Sequence, residues 1–367
     1  MRGEEAGILP TLAAVPDASS SGDALRALGW DDDFASAAAD LGEGEPGRVA
    51  RVDRGVATVL MPAPVRAVID PSQRDDPGDS ATNIATGDWV LVGANEQDEP
   101  TITALLPRRS AFVRGDPREG LALGAQVVAA NVDTVFVVQA LSNGPNLRRL
   151  ERELVLAYQS GAAPVVVLTK SDLVPDARDI HLALEAVARI APDVTTLVTS
   201  ATTTDGVDAL RHYSANGRTV ALIGASGVGK STLVNRLVGD DVQATAEVRA
   251  RDQRGRHTTT ARELVPLQTG GVLIDTPGLR AVSLWEADEG VERAFAEIEA
   301  LGRNCRFSDC RHDQEPGCAV KQAVESGALD AERFASYQRL NGELDRQVAQ
   351  VDDRARRARS RRSPRPR

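Results

Sequence analysis

An eight-residue segment of the chain, Gly224–Ser231, has the sequence GASGVGKS and matches the phosphate-binding pattern G-x-x-x-x-G-K-[ST]. Its glycines let backbone N–H groups curl around phosphate oxygens, and the apolar run before it and the helical pattern after it supply the strand–loop–helix context. Lys230 would reach the β- and γ-phosphates of a nucleotide, and Ser231 would hold Mg²⁺. The residues that we predict to bind the nucleotide here are Gly224, Ala225, Ser226, Gly227, Val228, Gly229, Lys230, Ser231 and Thr232.

A second motif, Asp275-Thr276-Pro277-Gly278, follows an apolar run farther along the chain. We predict that Asp275 holds the Mg²⁺ shell and that the N–H of Gly278 bonds to the γ-phosphate. The polar segment Gly255–Thr260 lies where a switch segment belongs, and we predict that Thr259 closes over Mg²⁺ when the γ-phosphate is present. The alternative for the Asp-Thr-Pro-Gly string is an ordinary β-turn.

A third motif, Thr169-Lys170-Ser171-Asp172, is similar to the guanine-recognition pattern N/T-K-x-D. The Asp172 carboxylate can accept hydrogen bonds from N1–H and the N2 amine of guanine, which adenine lacks, so an ATPase is disfavoured. The stem of Lys170 can lie over the base, and Ser200-Ala201 is positioned to supply a further base-contacting loop. Ser171 or Asp172 could also cap a helix, and both roles are compatible.

All three cysteines of the chain lie in the pattern Cys305-x4-Cys310-x-His312-x5-Cys318. Three thiolates and one imidazole suit a tetrahedral Zn²⁺ ion, and four protein ligands leave no open position. We therefore predict one structural zinc. The alternative is a set of buried free thiols.

The elements that position these motifs alternate between strands and helices from residue 133 onward, which predicts an α/β domain with a parallel sheet. The guanine motif precedes the phosphate loop, whereas it comes last in conventional GTPases. A circularly permuted chain can form the same sheet. In this order the Asp275 segment leads directly into the region of the cysteines, which predicts a mechanical link between the two.

The segment from Gly47 to Arg109 contains five short β-like runs, which predict a small barrel of the OB type. Such barrels usually bind RNA, but this segment has one aromatic residue, Trp89, so we expect backbone and shape contacts rather than base stacking. A purely structural barrel is the alternative. The pattern also indicates a basic linker over Leu106–Arg114 and one helix, weakened by Gly29, over Asp23–Ala39.

The predicted fold class is thus a multidomain α/β protein with an N-terminal OB-type β-barrel, a circularly permuted P-loop GTPase domain and a mainly helical zinc-binding domain. The predicted regions are an acidic, partly disordered extension (1–45), the RNA-binding barrel (46–110), the GTPase domain (111–284), the zinc-binding domain (285–350) and a basic, disordered tail (351–367).

Charge is segregated between the two ends of the chain. Residues 1–45 hold two Arg and ten Asp/Glu, and residues 351–367 hold eight Arg and two Asp. The basic tail is a candidate contact for a polyanion, or else a solvated tail. The sequence contains no apolar run long enough to span a membrane and no secretory signal, so we expect a cytoplasmic protein.

Together these motifs resemble the circularly permuted GTPases of small-ribosomal-subunit biogenesis, the RsgA family. The matching segments are Leu106–Ser110, Asn146–Arg152, Thr169–Asp172, Gly224–Ser231, Gly255–Thr260, Asp275–Gly278 and the Cys/His cluster. The resemblance implies a GTPase that acts late in maturation of the small subunit. It also implies hydrolysis of GTP to GDP stimulated by that subunit, binding to its rRNA, and release after hydrolysis; we expect a monomer.

Leu279 follows the Asp-Thr-Pro-Gly motif, where Ras-type enzymes have a water-orienting Gln. We therefore expect slow intrinsic hydrolysis and predict that His257 positions the attacking water. Two alternatives stay open: a GTPase that serves another RNA or translation target, and a nucleotide-gated RNA-binding scaffold with negligible hydrolysis.

Overall fold

The computed structural model describes residues 20–53, 55–69, 83–115, 125–239, 263–268, 270–275 and 287–362. Within these ranges the chain forms two N-terminal helices, a closed five-stranded barrel, a two-stranded hairpin, a six-stranded sheet with helices, and a C-terminal helical region. The barrel, the α/β sheet and the C-terminal helices follow one another in the predicted order.

Two short helices precede the barrel: α1 spans Ser21–Ala27 and α2 spans Asp32–Leu41. Each has its own N-cap, because the side chains of Ser20 and Asp31 accept hydrogen bonds from backbone N–H groups of the first turns. The single helix predicted over 23–39 is therefore wrong, and the described part of the acidic extension is ordered.

Gly29 separates the two helices. It has a φ of +98°, and a Cβ added there would lie 2.7 Å from the carbonyl oxygen of Gly217. The apolar side chains of the two helices pack against the barrel: Leu25 and Phe34 are buried in one cluster with Trp89 of the barrel. This packing explains why the segment is ordered despite its acidic composition.

The barrel is closed, with its strands in the order β1-β2-β3-β5-β4. The strands are β1 (Glu45–Asp53), β2 (Val56–Leu60), β3 (Val65–Ile69), β4 (Trp89–Ala94) and β5 (Pro100–Leu105). The prediction of a small barrel is confirmed. Trp89 is fully buried, and its ring packs against Trp30 and Phe34, so it cannot stack on a base.

A two-stranded hairpin follows the barrel, with β6 at Ala111–Gly115 and β7 at Ala125–Ala130. The basic linker predicted over 106–114 is thus partly a strand. Phe112 is buried and pairs in register with Ala129, so a short apolar run hidden among basic residues forms the first strand of the hairpin.

The six-stranded sheet has the order β10-β9-β8-β11-β13-β12. Its elements are β8 (Thr134–Ala140), α3 (Leu147–Gln159), β9 (Ala163–Thr169), α4 (Ala177–Ile190), β10 (Thr196–Val198), α5 (Val207–Arg211), β11 (Thr219–Gly224), α6 (Lys230–Val238), β12 (Glu263–Pro266) and β13 (Val272–Asp275). Five strands are parallel as predicted, but the edge strand β12 is antiparallel to β13. The short connection between β12 and β13 permits only a hairpin-like pairing.

The C-terminal region contains α7 (Asp288–Ala294), α8 (Ala296–Gly302), α9 (Ala319–Glu325) and α10 (Ala331–Arg362). Residues 351–362, which lie in the predicted basic tail, continue α10, while 363–367 lie outside the described residues. The sequence from 343 to 362 contains no Gly or Pro, which explains the long helix. No helix in the described ranges is both long and apolar enough to cross a membrane.

Arg48 in β1 is a buried cation that joins the barrel to its neighbours. Its guanidinium donates to the carbonyl of Leu28 after α1, to the carbonyl of Asn131 after β7 at 3.0 Å, and to the hydroxyl of Thr219 in β11 at 2.7 Å. Burial lowers the pKa of Arg48 to about 10, so it stays charged at neutral pH. Removing it would leave several buried carbonyls without a donor.

Helix α3 carries the C-terminal helices on one face. Arg333 of α10 donates to Glu151 of α3 at 3.1 Å and to Glu297 of α8 at 2.7 Å, and both Arg333 and Glu151 are buried. Arg152 of α3 also pairs with Glu343 of α10. Buried, hydrogen-bonded ion pairs fix the relative position of the helices that carry them.

Candidate functional site

The predicted phosphate loop connects the central strand β11 to helix α6. Gly224, the last residue of β11, has a φ of +146°, and a Cβ added there would lie 2.5 Å from the carbonyl oxygen of Val138 in β8. Gly227 and Gly229 have φ values of +80° and +101°, and Gly229 is the N-cap of α6. A side chain at these positions would strain the loop, which explains the glycine pattern.

The phosphate-binding side chains lie at the start of α6. The ammonium group of Lys230 donates hydrogen bonds to the carbonyls of Gly224 at 2.8 Å and Ala225 at 2.5 Å, so it lies across the mouth of the loop. Ser231 and Thr232, in the first turn of α6, are exposed. The helix N-terminus, the loop and this cation together suit the predicted binding of phosphate.

The predicted base-recognition motif directly contacts this loop. The hydroxyl of Thr169, the last residue of β9, donates to the carbonyl of Val228, and Lys170 donates to the carbonyl of Gly227 at 2.6 Å. Lys170 has a φ of +62°, a left-handed conformation. The two motifs are far apart in sequence but meet at the carboxyl edge of the sheet.

Asp172 and Ser200 also come together. The Ser200 hydroxyl donates to a carboxylate oxygen of Asp172 at 2.6 Å, and Ser200 is fully buried. This contact orients the carboxylate and leaves its other oxygen for a ligand. The carbonyl of the neighbouring Ala201 accepts a hydrogen bond from Arg236 of α6, which ties the Ser200 loop to the phosphate-binding helix.

Of the remaining residues predicted to contact the nucleotide, the structure describes only Asp275. Asp275 is the last residue of β13, which pairs with β11. Its backbone therefore lies on the same edge of the sheet as the phosphate loop. Gly278, Thr259 and His257 lie outside the described residues.

Sequence reasoning missed a cleft of about 640 Å³ between α3 and the phosphate loop. Residues of both elements line it, among them Glu153 on α3 and Ser226 on the loop. The Glu153 carboxylate accepts a hydrogen bond from the Gln139 side chain at 2.7 Å. Burial raises the pKa of Glu153 to about 7, against the opposing effects of Arg149, Gln139 and Lys230. The amphipathic pattern of α3 was visible in the sequence, but it does not show which polar side chains face the loop.

The predicted metal ligands form a second site in the C-terminal region. The ligand atoms of Cys305, Cys310, His312 and Cys318 all lie within 4.8 Å of one another. Nδ1 of His312 is 3.4 Å from the Cys318 sulfur and 3.6 Å from the Cys305 sulfur, and these two sulfurs are 3.9 Å apart. Tetrahedral coordination by sulfur and nitrogen requires edges of about 3.5–3.8 Å, so the cluster could hold one metal ion.

The backbone around the cluster also suits thiolate ligands. The N–H of Ala319 points to the Cys305 sulfur at 3.3 Å, and the N–H of Lys321 points to the Cys318 sulfur at 3.5 Å. Such donors stabilise negative charge on metal-bound sulfur. Cys318 belongs to the same buried apolar cluster as Phe295 and Tyr337, so the cluster and the C-terminal core support each other.

The chain is similar to a family model and to proteins that share one family name. The family model described as RsgA GTPase matches residues 105–285. The chain is 45% identical over 349 residues to the small ribosomal subunit biogenesis GTPase RsgA of Streptomyces avermitilis, covering 94% of this chain and 93% of the relative. It is 43% identical to the protein of that name from Methanosarcina acetivorans, covering 83% of this chain and 81% of the relative.

Two solved structures share the fold. The crystal structure of YjeQ from Thermotoga maritima has a TM-score of 0.61 and 26% identity, covering 82% of this chain and 98% of that protein. The structure of YloQ, described as a circularly permuted GTPase, has a TM-score of 0.60 and 24% identity, covering 83% and 96%. The permuted order inferred from the motifs is therefore also the order of a structural relative.

Proposed function

Because the chain belongs to the RsgA GTPase family, we propose that this GTP hydrolase acts in the biogenesis of the small ribosomal subunit. The observation that supports this most strongly is the meeting of the phosphate loop and the base-recognition motif at one edge of a permuted sheet. The relatives that match nearly the full length of the chain carry this function in their names.

The proposed reaction is attack of water on the γ-phosphate of GTP. Lys230 and the loop N–H groups would neutralise phosphate charge, and Ser231, Asp275 and Thr259 would hold Mg²⁺, which would supply further positive charge to offset that of the phosphates when bound. Gly278 would donate its N–H to the γ-phosphate. We propose His257 as the residue that positions the water, since Leu279 cannot.

The proposed guanine specificity depends on the carboxylate of Asp172, which Ser200 orients. In Asp172→Asn, the amide cannot accept from both N1–H and the N2 amine, but it can donate to the C2 carbonyl of xanthine. We expect the Kd for GTP to rise about 100-fold and XTP to become the preferred nucleotide. Fluorescent-nucleotide titrations measure both affinities.

Ser200→Ala is the matched control for this prediction. It removes the contact that orients the carboxylate but keeps the carboxylate, so GTP affinity should fall by about tenfold or less without any gain of XTP binding. Unchanged preference for GTP over XTP in Asp172→Asn would show that another residue reads the base.

We propose that the Cys/His cluster binds one structural Zn²⁺ ion. Its three sulfurs and one imidazole nitrogen suit zinc, and four protein ligands leave no position for a substrate. When bound, the metal would link the loop of Cys305 and Cys310 to the buried N-terminus of α9 at Cys318.

Cys318→Ser should lower the zinc content from one ion per chain to well below one and reduce the melting temperature of the C-terminal region. The physical reason is that a hydroxyl is a poor zinc ligand and Cys318 is also part of the buried core. Elemental analysis measures the zinc content, and hydrogen exchange over 287–344 measures the loss of stability in the C-terminal region. Ser308→Ala, an exposed change in the same loop, should keep both properties; a Cys318→Ser protein with full zinc content would contradict the proposal.

We further propose that the GTP-bound protein binds the subunit and its rRNA as a cytoplasmic monomer, and that hydrolysis to GDP releases it. Eight arginines in 351–367 supply positive charge for contacts with rRNA phosphates. The proposal is supported by the contacts of α3, which lies beside the proposed nucleotide site and forms ion pairs with the C-terminal helix α10.

Co-sedimentation with purified small subunits tests this proposal. The protein loaded with a non-hydrolysable GTP analogue should sediment with the subunits, and the GDP-loaded protein should stay in the supernatant. Large subunits serve as the control. Equal binding to both subunits, or to neither, would instead favour a GTPase with another RNA or translation target.

A further inference from the structure

The cleft between α3 and the phosphate loop is rich in arginine. Gly224, Ala225 and Ser226 of the loop line one part of it, and Arg148, Arg149 and Arg152 of α3 line another. The γ-phosphate binds at the mouth of such a loop, so this cleft adjoins the place where charge changes during hydrolysis. The three arginines are nevertheless not equivalent.

Two of them also have neighbours outside the cleft. Arg152 forms an ion pair with Glu343 of α10, and Arg148 also lines a separate groove beside Arg189 of α4 and Arg339 of α10. Arg149 lies four residues before Glu153, on the same face of α3. Arg149 and Glu153 both line the cleft, where burial raises the pKa of Glu153 and the positive charge of Arg149 opposes that rise.

A chain of hydrogen bonds fixes the backbone of Arg149 relative to the phosphate loop. Its N–H donates to the side chain of Asn146 at 3.1 Å, and the N–H of Asn146 donates to the side chain of Gln139 at 3.3 Å. The carbonyl of Gln139 lies 3.2 Å from the Thr169 hydroxyl, which donates to Val228 of the loop. The first turn of α3 and the loop are thus held as one unit, while the Arg149 side chain is exposed.

We propose that Arg149 is a catalytic residue of the GTPase reaction, supplied by the same chain. Its guanidinium donates hydrogen bonds to oxygens of the γ-phosphate as the bond from water oxygen to phosphorus forms and the bond to the β–γ bridging oxygen breaks. The water proton leaves with the inorganic phosphate, and Arg149 stays protonated throughout. The inference rests on the proposed GTPase site: Arg149 stabilises the charge that develops on the γ-phosphate, and the positioning of the water stays with His257.

The test uses full-length Arg149→Ala, Arg149→Lys and the neighbouring control Arg148→Ala. Single-turnover GTP hydrolysis, affinity for a GTP analogue, and capture of GDP with aluminium fluoride are measured with and without small subunits. Arg149→Ala should hydrolyse GTP about 100- to 1000-fold more slowly while its analogue Kd changes less than about threefold. It should also lose the aluminium fluoride complex, which Arg148→Ala should keep; Arg149→Lys should retain part of the rate.

Hydrolysis by Arg149→Ala within about threefold of Arg148→Ala would overturn the assignment, as would equal losses of rate and analogue affinity, because these indicate a binding or structural role. A different result would contradict the proposed ribosomal function. Wild-type protein that hydrolyses GTP at the same rate with and without subunits would contradict the ribosomal role, whereas the comparison of the two alanine variants would still decide the role of Arg149.

Discussion

The nucleotide site depends on two hydrogen bonds between segments that are remote in sequence. Thr169 and Lys170, at the end of β9, donate to the carbonyls of Val228 and Gly227 in the phosphate loop. These bonds hold the proposed base-recognition loop against the glycines of the proposed phosphate loop. They can form only because β8 lies between β9 and β11 with all three strands parallel, so that the carboxyl ends meet at one edge.

The same strand order places α3 between two parts of the molecule. One face of α3, with Arg149 and Glu153, lines the cleft beside the phosphate loop. Another face holds the C-terminal helices through the buried pair of Glu151 and Arg333 and the pair of Arg152 and Glu343. Within a single turn of α3, Glu151 and Arg152 thus contact α10 while Glu153 lines the cleft beside the phosphate loop. The same helix therefore contacts both the cleft beside the phosphate loop and the C-terminal helix α10.

Much of this arrangement could be predicted because local patterns and the final fold agree. The strand–helix alternation predicted from residue 133 onward is the six-stranded sheet with its helices, and the motif order correctly indicated a permuted sheet. The sequence did not predict features whose structure is determined by contacts between distant segments. Phe112 forms a strand because the hairpin buries it, and Arg48 can be buried because three carbonyls and one hydroxyl from other segments accept hydrogen bonds from its guanidinium. The cleft with Glu153 was missed for the same reason: helical periodicity identifies an apolar face but not the polar residues opposite a loop.

We propose that the small ribosomal subunit activates this GTPase, as membership of the family implies. It is tested most directly by the rate of phosphate release from GTP, measured for the full-length protein alone and with purified small subunits, with large subunits as the control. The account predicts slow release by the protein alone and a rise of at least about tenfold that only small subunits produce, because the partner must order the site around the attacking water. The same rate under all three conditions would contradict it.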